Sequence, residues 1–181
     1  EATAIAEVGR DISATLQLKL VLERIALYAR DLLRSETSAV YLSEANQSIL
    51  SAISAFGDDS DQVKNDPLEV GVGILGNIAL QKFGEIVNDT ISDPRAITIK
   101  DTYDDPYGHI MGVPVLSKDQ LTGLLVVWRT GMGNEYQPTE LDFLTSLAQQ
   151  AAVAIENARL FELEHHRRQE AETVMRATTA L

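Results

Sequence analysis

Apolar residues recur every three to four positions at both ends of the chain, and fall in short alternating or continuous runs between them. Over residues 1–12, Ile5, Val8 and Ile12 make a narrow helical seam, while Glu7, Arg10 and Asp11 face outward. Residues 13–17 (SATLQ) interrupt that seam, with Ser13 or Thr15 available as an N-cap. A second helix is predicted over 18–34. Its face of Leu18, Val21, Leu22, Ile25, Tyr28, Ala29 and Leu32 is broad enough to lie on a sheet.

The middle of the chain changes period. TSAVYLS at 37–43 and ILSAISAF at 49–56 are β-branched and apolar, and predict an antiparallel hairpin turning at 44–48. Residues 57–67 (GDDSDQVKNDP) are acidic and apolar-poor, which reads as a surface loop. A glycine turn and a short helix over 74–82 follow, then a brief strand over 85–88. Residues 89–108 have little regular pattern; a loop of that length in a compact domain is more often functional than decorative. A second hairpin is predicted from 110–116 and 121–129, and the nearly continuous apolar run of the latter marks a central strand covered on both faces.

The last predicted element is a long helix starting at Gln137-Pro138-Thr139-Glu140, with Thr139 as its expected cap. Leu141, Leu144, Ala148, Ala151, Ile155 and Ala158 step by three and four along it. The pattern shifts to Leu160 and Leu163, crosses EHHRRQEAE, and resumes at Val174, Ala177 and Leu181. A helix of this length cannot be buried by one domain, so its far end needs a partner.

Composition narrows the function classes. The chain has 181 residues, 45% hydrophobic, and fits one globular domain with helical extensions. A net charge of −12 repels phosphate backbones and anionic lipid, so neither nucleic acid nor a membrane is an expected partner. The apolar runs are too short for a membrane span, and no signal peptide opens the chain, which begins at Glu1 and reads as a fragment. There is no cysteine, which removes disulfides, thiolate metal sites, cysteine nucleophiles and thioether-linked cofactors; a cytoplasmic location is expected.

Gly71-x-Gly73-x-x-Gly76 matches a dinucleotide-binding turn, with Asp89 or Asp93 in the place of a ribose ligand. Its context opposes that reading. The preceding residues 65–70 (NDPLEV) are polar and contain a proline, and the helix that follows is too short for a crossover between parallel strands.

The order of elements and five loose motifs resemble the GAF domain family over 18–163. The motifs are Gly71-x-Gly73-Ile74-x-Gly76-x-x-Ala79; Val87-x-Asp89-x-x-x-Asp93-Pro94-Arg95; Val113-Pro114-Val115; Thr122-Gly123-x-Leu125; and Ala148-x-x-Ala151-x-x-Ala154-Ile155-x-Asn157-Ala158-x-Leu160. The resemblance implies an α+β fold, GAF-like and PAS-related. Its antiparallel sheet of five to six strands would carry the terminal helices on one face and a ligand pocket on the other. Residues 1–17 and 164–181 would then be helical extensions, the second leading to a following domain. It implies a regulatory, small-molecule-sensing module of a bacterial two-component signalling protein. Dimeric terminal helices would pass the signal to an effector in the same chain, a kinase, a cyclase or a second GAF unit. The alternatives are a ligand-free dimerisation module and, from another class, an enzyme.

Departures from the family limit its ligands. The cyclic-nucleotide signature Asn-Lys…Phe…Asp-Glu is not reproduced by Lys82-Phe83, Glu85 and Asn88-Asp89. Covalent bilin and sulfoxide-reducing chemistry in the family need cysteines. No cofactor or metal is expected.

Seven residues are candidates for the pocket: Phe56, Asp93, Arg95, Tyr103, Tyr107, His109 and Trp128. Arg95 can clamp an anion with its planar fork, or Asp-Pro-Arg can simply fix the loop. Tyr103 and Tyr107 each offer a ring and one hydrogen bond. His109 lacks a second metal ligand at ordered spacing, and Asp101, Asp104 and Asp105 lack the pattern of a calcium loop. His165 and His166 sit on a charged helix and point in different directions.

Overall fold

A computed structural model describes residues 2–102 and 105–180, the stretch 2–12 as backbone. Tyr103, Asp104 and Leu181, and the side chains of the Ile5, Val8 and Ile12 seam, lie outside the described residues. The elements in order are α1 (Ala2–Leu32), β1 (Thr37–Ser43), β2 (Ile49–Phe56), α2 (Ser60–Lys64), β3 (Leu68–Glu69), α3 (Gly73–Gln81), β4 (Glu85–Val87), β5 (His109–Ser117), β6 (Gln120–Arg129) and α4 (Pro138–Thr179). The strands form one antiparallel sheet in the order β3-β2-β1-β6-β5-β4. The expected α+β architecture is therefore present, with six strands.

β6 lies between β1 and β5, and its alternating side chains feed two cores. Leu125 and Val127 join Val40, Met111, Val113 and Val115 beneath the terminal helices, while Leu124 and Val126 join Ala39, Tyr41 and α3 on the opposite face. Coverage on both sides explains why this strand is apolar at nearly every position. Each fully buried Leu or Val contributes about 1.5–3 kcal/mol.

The two terminal helices differ from expectation in detail. α1 runs unbroken through 13–17, because that stretch holds neither glycine nor proline, and Ser13 and Thr15 stand exposed on its surface rather than capping it. Its buried stripe is Leu22, Ile25, Ala26 and Ala29, with Leu33 just beyond the helix end, whereas Val21, Tyr28 and Leu32 are exposed. The two alanines let the helix sit close to the sheet, and Ser38 Oγ donates to the Ala26 carbonyl at 2.6 Å, fixing that rotation. α4 is capped at Gln137, not Thr139. Pro138 takes the first helical position, where a missing N–H costs nothing, and the Glu140 carboxylate accepts from the Gln137 N–H at 2.8 Å. No break in α1 or α4 marks positions 17 or 163.

Two small elements replace loop. α2 forms inside the acidic stretch 57–67, and Val63, its one apolar residue, is buried against the second core. β3 pairs Leu68 with Leu50 and Glu69 with Ile49, despite Pro67 just before it. As a two-residue edge strand it has little of its ladder to lose to a proline.

Candidate functional site

The glycine turn owes its composition to backbone geometry. Gly71 and Gly73 have φ of +88° and +71°, which side-chain-bearing residues rarely adopt. A Cβ on Gly76 would collide with the Glu69 carbonyl, so only glycine lets α3 close against β3. The Gly71 N–H bonds the Gly76 carbonyl at 2.7 Å, closing the turn on itself. The pattern that resembles a nucleotide fingerprint thus places a short helix against the sheet edge.

α3 and the irregular loop stand off the sheet and enclose a cavity of about 580 Å³. Its floor is a row across three strands, with Trp128 paired to Thr37 on one side and to Ile110 on the other. The first turn of α3 (Gly73, Ile74, Leu75) forms one wall, and Ile91, Ile97 and Ile99 of the irregular loop another. The remaining wall comes from α2 and β3, through Val63, Asp66, Leu68 and Glu69. A volume of this size suits a metabolite-sized ligand, and an apolar body with a few polar contacts is what such a lining accepts.

Of the candidate residues, His109 and Trp128 line the cavity. His109 is buried, with Nδ1 2.8 Å from the Asn88 carbonyl and Nε2 3.0 Å from the Gly131 carbonyl. A neutral imidazole carries one N–H and donates to one of these; imidazolium donates to both. Both nitrogens are thus directed at backbone, and the ring ties the loop after β4 to the loop after β6.

Phe56 is not at the cavity; it packs with the helix-side core. A β-bulge causes this. Val40 pairs with Ser54 but Tyr41 pairs with Ala52, so Ile53 is an extra residue and every side chain beyond it changes face. Asp93 and Arg95 also lie off the cavity wall. Arg95 donates from Nε and Nη2 to Asp93 at 2.9 and 2.7 Å, and from Nη1 and Nη2 to Glu85 at 3.0 and 2.7 Å. Its fork is turned to two carboxylates, so it braces the loop against β4. Those bonds, with Asp93 first, raise the Arg95 guanidinium further, and they hold the Asp93 carboxyl below its usual range. Tyr107 is exposed outside the wall, its carbonyl accepting from the Gly131 N–H. Tyr103 lies outside the described residues.

The residue that sequence reasoning missed is Arg129. It ends β6, faces His109 across the β5–β6 ladder, and lines the cavity. Its guanidinium donates to the Leu33 carbonyl at the end of α1 at 2.8 Å and to both carboxylate oxygens of Glu140 at 2.9 Å. It also donates to the Asn134 and Glu135 carbonyls, and stacks 3.9 Å from the centre of the Tyr136 ring. The Tyr136 hydroxyl meets Ser35 Oγ at 2.7 Å, and burial pushes this phenol up. Burial likewise raises Glu140, but the bonds from Arg129 and the Gln137 N–H outweigh it and leave the carboxyl below its ordinary value. One side chain therefore joins the cavity, the end of α1 and the start of α4. The available signal was an arginine closing an apolar strand, followed eleven residues later by the glutamate of a helix start.

The fold agrees with comparison to known proteins. Residues 15–156 match the GAF domain family, and the chain belongs to it. Over 70 residues it is 34% identical to the circadian input-output histidine kinase CikA of Thermosynechococcus vestitus; the match takes in 38% of this chain and 10% of that protein's length. Among solved structures, the GAF domain of a phosphoenolpyruvate-protein phosphotransferase from Coxiella burnetii superposes with a TM-score of 0.72. It is 18% identical, over 88% of this chain and 98% of that one. Free methionine-R-sulfoxide reductase from Neisseria meningitidis, solved with its substrate, superposes at 0.66 and 16% identity, over 79% of this chain and 80% of that one. The same fold thus occurs as one domain of a phosphotransferase and in a sulfoxide reductase. No helix among the described residues is long and apolar enough to cross a membrane.

Proposed function

We propose that this chain is the small-molecule-sensing GAF domain of a multidomain bacterial signalling protein of the two-component type, working in the cytoplasm. A ligand held over Trp128 acts on α1 and α4, which pair with those of a second copy and lead to an effector in the same polypeptide. Residues 18–163 are the sensing unit on this reading, with 1–17 and 164–181 as its signalling helices. The observation that carries it is Arg129, a cavity residue whose guanidinium is bonded to the residue that follows α1 and to the first turn of α4. Movement of one wall is felt at both helix ends without an intermediate contact.

An open cavity supports a sensor over a structural module with a self-filled pocket. Phe56 and Met111, two large side chains of the neighbouring strands, lie in the helix-side core instead. A non-catalytic role is supported by the engagement of both His109 nitrogens with backbone carbonyls and by the lack of cysteine. The dimer is supported by apolar side chains left exposed on the helices, among them Leu20, Val153, Leu160 and Phe161.

Native mass spectrometry of the purified chain reads subunit number and retained small molecules together. A dimer with a stoichiometric added mass that is lost in Arg129→Ala supports the sensor and its link to the helices. A monomer at tens of micromolar, with both helices intact, overturns the dimeric part.

A further inference from the structure

We infer that the Thr37 hydroxyl is the polar anchor of the cavity, and that its ligand is an apolar body carrying one uncharged hydrogen-bonding group, a hydroxyl or a carbonyl. This deepens the proposed sensing role and rests on the cavity being a ligand site. Thr37 opens β1 and lines the floor beside Trp128, its partner across the β1–β6 ladder. Ala39 and Tyr41, two and four residues on, lie in the cavity-side core, so the alternation of the strand turns Thr37 to the same face. The residue is 3% exposed, yet among the described residues nothing donates to its hydroxyl or accepts from it. Three other unpartnered polar atoms, Tyr41 Oη, Ser54 Oγ and Gln62 Oε1, are sealed within the packing. The Thr37 hydroxyl is not sealed, and the open space its residue borders is the cavity. A Cβ on Gly57 would meet the Glu36 carbonyl and this hydroxyl, so the chain leaving β2 places no side chain over it. Buried polar groups are ordinarily bonded, and an exception calls for a partner from outside the chain. Valine has the same shape and the same preference for a strand, so packing alone does not require the hydroxyl.

The charged groups nearby set the class of that partner. Arg129 is turned to Glu140 and to backbone carbonyls, His109 to two further carbonyls, and Glu36 accepts from the Thr130 amide and hydroxyl. An ion brought to Thr37 would exchange its water for a single neutral hydroxyl with no counter-charge directed at it, which costs more than it returns. An uncharged group is matched by one such contact, because threonine donates to a carbonyl and accepts from a hydroxyl. Trp128, Ile97 and Ile99 receive the apolar part.

Trp128 is the chain's single tryptophan, so its emission reports directly on the cavity. The test is a titration of the full chain, at neutral pH and constant ionic strength, with 3-phenylpropan-1-ol and with butylbenzene, which replaces the hydroxyl by a methyl group. Two charged probes of the same shape, 3-phenylpropionate and 3-phenylpropylammonium, complete the set. Thr37→Val should weaken the alcohol by about three- to tenfold, the worth of one neutral hydrogen bond, and leave butylbenzene unchanged. Thr37→Ser, which keeps the hydroxyl, should bind the alcohol as the parent chain does. Thr37→Val should also melt within about 2 °C of the parent, since no internal bond is lost. Both ions should bind more weakly than the alcohol. An alcohol affinity untouched by Thr37→Val, or an equal loss of alcohol and butylbenzene, overturns the anchor. A Thr37→Val chain that melts several degrees lower makes the hydroxyl part of the packing and also overturns it. Tighter binding of either ion overturns the uncharged class and leaves the cavity as a site for another ligand. If no probe perturbs Trp128, the ligand-site reading falls with it.

Discussion

The two faces of the sheet are covered in opposite ways. On one, α1 and α4 lie flat and fill the space with Leu22, Ile25, Leu144 and Leu147 against Val40, Leu125 and Val127. On the other, α2, α3 and an irregular loop close only at the edges and leave about 580 Å³ between them. The first face is held by close packing along whole helices. The second is held by point fixtures: the Arg95 brace, the His109 bridge and the self-closed glycine turn. A face held at points can change its cavity without unfolding, and a packed face can pass on a rigid shift. On the proposed reading, sensing and transmission would fall on the two sides of one sheet.

Truncation on each face should separate them most sharply. Leu125→Ala, on the packed side, should cost about 3 kcal/mol by denaturant unfolding, through lost burial and the void left behind. Ile97→Ala, 64% exposed on the cavity loop, should cost less than about 0.5 kcal/mol while still altering the retention of a bound small molecule in native mass spectrometry. Equal losses would show that the cavity side is packed as tightly as the other.

Arg129 belongs to both sides, and its removal comes next in size. Arg129→Ala leaves the Glu140 carboxylate and the Leu33 carbonyl without their donor and should cost about 2 kcal/mol, lowering the melting temperature by about 4–8 °C. Arg129→Lys should recover part of that stability but not the bidentate bond to Glu140. Full recovery by lysine would reduce the arginine to a point charge.

Arg95→Ala should cost about 1 kcal/mol, because the brace is partly exposed and its two carboxylates can rehydrate. Faster backbone amide exchange over 89–102, with α1 and α4 unchanged, is the pattern that would confirm a local fixture.

The smallest effect is on acid stability. Glu140 and Asp93 both have folded-state values below their ordinary 4.5 and 3.8, so their stabilisation is complete above those values and is lost as pH falls through the lower folded ones. Melting temperature should therefore drop as pH falls below about 4.5, less steeply in Arg129→Ala and Arg95→Ala, where the partner is gone. An unchanged slope in both variants would remove these pairs as its source.

Much of this architecture was legible in the residues. The strands Thr37–Ser43 and Ile49–Phe56 begin and end where β-branched composition places them, and the apolar run at 121–129 is a central strand because it must supply two cores. The misreadings share one cause, which is that tertiary contacts decide what local pattern leaves open. Strict alternation along β2 puts Phe56 on the cavity side, and one extra residue in the pairing puts it on the other. Val63 alone cannot announce a helix, yet burying it is what makes α2 form. Ile91, Ile97 and Ile99 look like ordinary loop residues because a cavity wall has no period. Arg95 attracted notice because it sits in a motif, and Arg129 escaped it because its partners come from residues 33 to 140.

The length of α4 turns small movements at its root into large ones at its tip. Beyond Ala151, its last buried residue, the helix continues to Thr179, about 42 Å at 1.5 Å per residue. A tilt of about 5° at Ala151 would swing the far end by about 4 Å, most of a helical turn. The domain is in this respect a lever with a short arm at Arg129 and a long arm beyond Ala151, and each residue added to α4 alters its mechanical gain.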